Sequence, residues 1–162
     1  MRYIIPTIIA LISTFCLALP ALAQTSLSIG GLSSNPSGPV EMSADKLTVS
    51  QSDGSAQFEG NVLISNGSMK IMAQLVVVTY LEGGGINQLS ARGGVTVITQ
   101  VESAEAKSAE YDLTSNSLVL SGDVLLTQGQ SVISADTMNI NLTTGAAVIE
   151  GRVRTVLSRE TK

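Results

Sequence analysis

Two residue columns recur along this chain, and their shared spacing constrains its fold more than any other feature. Ala44, Ala73, Ala106 and Ala135 each open a short segment with apolar residues three and five places later. Four further segments open on glycine: Gly60-Asn61-Val62, Gly93-Gly94-Val95, Gly122-Asp123-Val124 and Gly151-Arg152-Val153. From each of these glycines to the next column alanine is 13 residues. From each alanine to the next glycine is 16, except for 20 between Ala73 and Gly93. The unit is therefore about 29 residues long and occurs four times, with a four-residue insertion in the second that falls near the turn-like residues 82–85. Self-similarity at a fixed period marks stacked units, each burying its apolar face against the next.

Inside each unit the apolar period is two, the period of a strand. Around the glycines one parity is apolar or small: Ala56, Phe58, Val62, Ile64; Leu89, Ala91, Val95, Val97; Leu118, Leu120, Val124, Leu126; Ala147, Ile149, Val153, Thr155. The same parity continues through Met69, Ile71 and Ala73, and through Ser131, Ile133 and Ala135. At each column alanine it flips, to Leu47 and Val49, Val76 and Val78, Ala109 and Tyr111, Met138 and Ile140. A one-residue slip turns every later side chain to the other face, so a slip repeated at one column predicts a repeated bulge or corner. The glycine column suits a second bend, where no side chain obstructs the curve. Polar turns are expected at 51–55, 65–68, 114–117, 127–130 and 143–145, with Asn66-Gly67 the strongest hairpin signal. All four prolines lie at or before Pro39, which leaves the rest of the chain free to form ladders. The expected class is all-β, a rolled sheet or two facing sheets of antiparallel strands. A closed β-helical scaffold is the alternative.

The first residues read as an address. Arg2 precedes an uncharged apolar run over 4–19, Pro20 interrupts it, and Ala21-Leu22-Ala23 forms a cleavage signal before Gln24. This is the order of a secretory signal peptide cleaved after Ala23. A retained membrane anchor is the rival, but the run is short for a span and holds Pro6. Cys16 lacks the small-residue context of a lipoprotein site. It is the sole cysteine, so cleavage leaves none to mispair in an oxidising compartment. The expected organisation is a signal peptide over 1–23, a Ser/Gly/Pro-rich flexible leader over 24–39, a β domain over 40–157 and a tail over 158–162.

Composition then removes whole classes of chemistry. With no His, neither a Ser-His-Asp nor a Cys-His pair can be built, nor a His-bearing zinc site. The formal net charge is −4, with no basic stripe, which argues against nucleic acid as a partner. The acids are scattered and no aromatic sugar platform flanks them. No G-x-S-x-G elbow occurs. The residue after each column alanine is Asp45, Gln74, Lys107 and Asp136. A metal column with a lysine in it is not a metal column, so no catalytic, metal or cofactor site is expected. Arg152, Arg154, Arg159 and Lys162 crowd the last eleven positions, either to meet an anionic surface or to keep an end strand soluble.

The stretch from Gln57-Phe58-Glu59-Gly60-Asn61-Val62 through Asn66-Gly67-Ser68-Met69-Lys70-Ile71-Met72-Ala73, into Leu75-Val76-Val77-Val78, resembles the core motif of the OstA-like family. Ser134-Ala135-Asp136-Thr137-Met138 and the ending Gly151-Arg152-Val153-Arg154-Thr155-Val156-Leu157 are similar too. The resemblance covers residues 40–157. It implies an OstA-type β-jelly roll of stacked antiparallel strands, open at both ends. It also implies a periplasmic lipopolysaccharide-binding bridge protein that carries lipopolysaccharide from the inner to the outer membrane and so serves outer membrane assembly. The partners so implied are lipid A acyl chains and similar jelly rolls associated head to tail, with self-association among them. A rigid β-repeat scaffold without a lipid, or a membrane-anchored component of the same transport system, are the alternatives.

An acyl chain needs a continuous apolar lining, favoured by about 0.8 kcal/mol per buried methylene. The inward parity offers one, built from small aliphatic residues with few rings. The expected lipid-contacting residues are Phe58, Ile64, Ile71, Val76, Val95, Tyr111, Leu120, Leu126, Ile133 and Ile140. The sheet edges are expected near 40–49 and 147–157, where unpaired backbone groups could take another strand.

Overall fold

The computed structural model describes residues 39–157. The expected signal peptide, the leader up to residue 38, and the tail over 158–162 lie outside the described residues. Ten strands and no helix occur among them: β1 (Val40–Ser43), β2 (Lys46–Ser50), β3 (Ser55–Asn66), β4 (Met69–Tyr80), β5 (Ile86–Ile98), β6 (Glu102–Asp112), β7 (Ser117–Gln128), β8 (Ser131–Asn141), β9 (Ala147–Glu150) and β10 (Arg154–Val156). All pairings are antiparallel, and from β3 to β8 each strand pairs with its sequence neighbours. β1 and β2 pair with the two halves of β3, and β9 and β10 with the two halves of β8. Each of these pairs is thus one strand interrupted at its middle, and the sheet is a meander of long strands that all bend at one level.

The bend has a local cause. Glu59 faces Leu75 and Val62 faces Ala73, so Gly60-Asn61 stand opposite Gln74 alone. Gly93-Gly94 likewise oppose Lys107, and Gly122-Asp123 oppose Asp136. Two residues against one is a β-bulge, which kinks the strand. In each such pair, Gly151-Arg152 included, both residues have positive φ, from 42° to 86°. The first must be glycine for a second reason. A Cβ on Gly60 would lie 2.5 Å from Asp45 Oδ2, one on Gly93 2.8 Å from Gln74 Cβ, and one on Gly122 2.9 Å from Lys107 Cβ. Gly151 is crowded by Asp136 in the same way. The backbone closes the contact at both ends of the sheet, where the Asp45 and Asp136 amides donate to Gly60 O and Gly151 O at 2.9 Å. The sequence suggests two bends, one at the alanines and one at the glycines. They are one corner: the residue after each alanine packs on the glycine of the neighbouring strand.

The corner folds the sheet on itself. Halves of strands on one side carry the turns 51–54, 81–85, 113–116 and 142–146. Those on the other carry 67–68, 99–101 and 129–130. A single sheet cannot shield its own face, yet Val76, Val97, Leu120, Met138 and Ile140 are wholly buried and belong to one hydrophobic cluster drawn from both sides. The two halves therefore cover each other as the layers of a sandwich. The parity flip at the alanines keeps both halves facing inward, with Ala73 followed by Val76 and Ala135 by Met138.

Two turns differ from expectation. Asn66 is still in the ladder, opposite Met69, so the two-residue loop is Gly67-Ser68, with the positive φ of 58° at Gly67. The insertion is not confined to 82–85. β5 starts seven residues before Gly93, whereas β7 starts five before Gly122, so part of the insertion lengthens the β4–β5 hairpin. Tyr80 and Leu81 stand exposed at its tip.

Candidate functional site

The register assembles the inward side chains into rows that cross every strand. In one layer Leu47, Phe58, Val76, Ala91, Ala109, Leu120, Met138 and Ile149 are successive cross-strand partners. A second row runs from Val49 through Ala56, Val78, Leu89, Tyr111, Leu118 and Ile140 to Ala147. In the other layer, Met42, Ile64, Ile71, Val97, Ala104, Leu126, Ile133 and Thr155 follow one another. These rows form an apolar face running from one sheet edge to the other.

All ten residues singled out from the sequence lie on this face. Phe58, Val76 and Leu120 share the first row, Tyr111 and Ile140 the second, and Ile64, Ile71, Leu126 and Ile133 the third. Val95 sits beside the corner opposite Ala106. Nine are buried, and Phe58 is partly buried against the same cluster. In the middle strands the inward side chains shield one another from water. Toward the edges the cover thins: Leu47 is 55% exposed and Val49 63%, although Phe58 and Ala56 beside them are covered. Neither has a strand on its outer side.

The face is apolar but not wholly so. Glu102 is buried at the start of β6, where the Gln128 side-chain amide donates to its carboxylate and its own amide donates to Thr99 Oγ1 at 3.1 Å. Counting back by twos from Ala106 and Ala104 places Glu102 inward, a signal that the search for paired carboxylates passes over. Tyr111 donates its hydroxyl to Asn116 Oδ1 at 3.0 Å, and burial pushes its pKa up.

Outside, the corner carries a polar ladder that the sequence showed only as a mixed column. Asn61 donates to Asp45 at 2.8 Å, Lys107 pairs with Asp123 at 2.7 Å, and Arg152 pairs with Asp136, its Nε donating at 2.9 Å. Arg152 also stands 3.9 Å from Asp123. Lys107 and then Arg152 hold the Asp123 carboxyl below its usual pKa. Arg152, one of the clustered basic residues near the C-terminus, is thus committed to two carboxylates. Open clefts of about 640 and 390 Å³ lie along this corner, the first lined by Leu125, Arg152 and Arg154, the second by Leu63, Met72 and Gly94. Beside these outward side chains, the buried corner residues Val124 and Ala135 line the first and Val62 and Ala73 the second. Among the described residues no cluster of acids could hold a metal ion, and no helix is long and apolar enough to cross a membrane.

An uncharacterised protein of Rhizobium meliloti (strain 1021) is 29% identical over 159 residues, covering 90% of this chain and 86% of its own length. Among solved structures, the fold is similar to that of LptH from Pseudomonas aeruginosa, described as the LptA-homologous periplasmic component of the conserved lipopolysaccharide transport device. The TM-score is 0.69 at 15% identity, over 76% of this chain and 98% of that one. The family model described as LptA/(LptD N-terminal domain) LPS transport protein matches residues 41–146. Those residues span the corner glycines Gly60, Gly93 and Gly122 and most of the apolar rows, and the chain belongs to this lipopolysaccharide-transport family.

Proposed function

We propose that this chain is a periplasmic lipopolysaccharide-binding bridge protein, carrying lipopolysaccharide from the inner to the outer membrane along its apolar face. The observation that carries the reading is the continuity of the inward rows through every strand, in a member of a lipopolysaccharide-transport family. Acyl chains lie against Phe58, Ile64, Ile71, Val76, Val95, Tyr111, Leu120, Leu126, Ile133 and Ile140. Many similar aliphatic rungs and no deep specific pocket suit passive sliding, each methylene being favoured by about 0.8 kcal/mol wherever it sits. Because these side chains cover one another, an acyl chain enters by parting the two layers. The protein performs no chemistry in this scheme, and the energy for transport comes from elsewhere.

The rest of the reading follows from export. The signal peptide over 1–23 is cleaved after Ala23, the leader over 24–39 precedes the jelly roll over 40–157, and 158–162 is a tail. Other jelly rolls of the bridge associate head to tail with the edge strands at either side of the sheet.

Photo-crosslinking in cells from Ile133 and Leu126, followed by a blot for lipopolysaccharide, tests the reading. The expected result is a lipopolysaccharide adduct at both positions and its loss when Ile133→Glu is introduced beside a probe at Leu126. A folded protein that gives no adduct from any inward position refutes it and leaves the lipid-free scaffold.

A further inference from the structure

The two layers share continuous strands at the corner, so they can part only on the side away from it, where the turns of both layers lie. The inward residues nearest those turns form two lips of the apolar groove, and the lips differ. One is apolar: Leu142 is wholly buried, and Ile86 and Leu113 pack against the same cluster. The other, formed by the ends of β3 to β8, is polar. Asn66 faces Met69, the Thr99 amide donates to Glu102 O across the β5–β6 turn, Glu102 faces Gln128, and Gln128 faces Ser131. One rung deeper, Ile64, Ile71, Val97, Ala104, Leu126 and Ile133 are all apolar. The lining thus changes character over two residues of each strand, about 7 Å. Within the polar lip, Thr99 and Glu102 bond to each other, and Gln128 donates to the Glu102 carboxylate. Asn66 is different. It is 8% exposed, and its Oδ1 is shut off from solvent with no hydrogen-bond partner among the described residues.

We propose that Asn66 is a specificity residue for the lipid, its side-chain oxygen accepting the hydroxyl of an acyl chain that is hydroxylated near its polar end. This rests on the lipid reading above and names the chemistry that the groove selects. A buried acceptor without a donor is costly, and a native fold keeps few of them. Three features set what completes this one. The arriving group donates, because Oδ1 only accepts. It arrives on an apolar carrier, because Ile64 and Met69 beside Asn66 are 3% and 4% exposed. A sugar hydroxyl would bring a polar ring out of water against those side chains. The group also sits near the polar end of its chain, because Asn66 is the last inward residue of β3 before the turn. A hydroxyl close to the headgroup end of an acyl chain meets all three conditions. The apolar rows hold the rest of the chain, and one polar group at the lip fixes which end stays outward. A single neutral hydrogen bond changes affinity about threefold to tenfold, which leaves the lipid able to move on.

The test compares two uncharged probes that differ by one hydroxyl, N-(β-hydroxydecanoyl)glucosamine and N-decanoylglucosamine, titrated into purified full-length protein by calorimetry. The hydroxylated probe should bind about threefold to tenfold more tightly. Asn66→Leu and, separately, Asn66→Ala should bring the two affinities together by weakening the hydroxylated probe alone. Asn66→Leu removes an unpartnered polar group for an apolar one, so it should melt no lower than the parent protein. Ser65→Ala, the outward neighbour, should keep the full difference. Equal affinities in the parent protein, binding of neither probe, or a difference that survives both Asn66 substitutions overturns the proposal. The parent comparison needs no substitution and stands even if neither Asn66 variant folds. Lipopolysaccharide crosslinking from Leu126 separates the two ideas. Adducts without a hydroxyl preference remove the role of Asn66 and keep the lipid reading, whereas absence of both adducts and probe binding removes both.

Discussion

Alanine placed at Gly93 and, separately, at Gly94 should destabilise the protein by clearly different amounts, although both glycines have φ of 86° and lie side by side at one corner. An L-residue in the left-handed region costs about 1–2 kcal/mol. Loss of glycine's freedom in the unfolded chain returns about 0.4–1 kcal/mol of that. At Gly94 nothing lies within 4 Å of the new Cβ, and its counterparts Asn61, Asp123 and Arg152 already carry side chains at positive φ. Gly94→Ala should therefore cost about 1 kcal/mol. At Gly93 the Cβ would meet Gln74 Cβ at 2.8 Å. That is about 1 Å inside a normal carbon contact. Gln74 Cβ is fixed to the β4 backbone and cannot swing aside, so an overpacking term of about 1–3 kcal/mol is added. The total is about 2–4 kcal/mol. At about 4 °C per kcal/mol for a domain of this size, Gly93→Ala should melt about 4–12 °C below Gly94→Ala. Thermal and urea unfolding followed by circular dichroism measures both. Equal losses would refute the idea that the glycine column exists to admit the neighbouring strand, leaving only its positive φ as a reason.

Leu120→Ala, at a wholly buried site mid-row, should cost about 2–5 kcal/mol, whereas Leu125→Ala, outward and 37% exposed, should stay under about 1 kcal/mol in the same urea titration. Stability should fall in acid. Lys107 holds the Asp123 carboxyl, Lys46 the Glu59 carboxyl and the Ser115 amide the Asp112 carboxyl below their usual pKa values. A group whose folded pKa lies below its unfolded one stabilises above the unfolded value, about 4, and loses that contribution as pH drops through the folded value. The urea midpoint should therefore decline below about pH 4, and Asp123→Asn should make the decline shallower. Tyr111 has the opposite sign, because burial raises its pKa. Its contribution is complete below the unfolded value of about 10 and is lost as pH rises through the folded one. Tyr111→Phe should reduce alkaline destabilisation in unfolding measured above that pH.

Much of this was legible in residue order alone. The period of two placed Val76, Leu120 and Ile133 on one face, and the parity flip at Ala73, Ala106 and Ala135 announced a corner. The identity of that corner with the glycine column is not legible there, because it depends on which residues face each other across a hairpin. The constant 13 residues from glycine to alanine held the answer. A two-residue loop at Gly67-Ser68 sets Val62 opposite Ala73 and leaves Gly60-Asn61 facing Gln74. The exposure of Leu47 and Val49 was not legible either, since their pattern matches that of the buried Val76 and Val78. Only their place at the end of the sheet separates them. For Glu102 residue type and parity disagree, since a carboxylate is expected outside and its parity points inward, where it is buried.

The meander has a consequence for how the molecule comes into being. Counting β1–β2 and β9–β10 as one interrupted strand each, every strand finds its partner in the segment just before or just after it, so no long stretch of chain must be closed before a ladder can form. A chain that folds amino end first lays down one hairpin, then the next on its exposed flank, each arrival burying the rung before it. Such growth is nearly one-dimensional, and its free energy should accumulate in steps rather than appear at once. The flank left bare by the last hairpin, ending in Val153, Val156 and Leu157, is of the same kind that received each earlier hairpin. That flank is a surface still competent to extend.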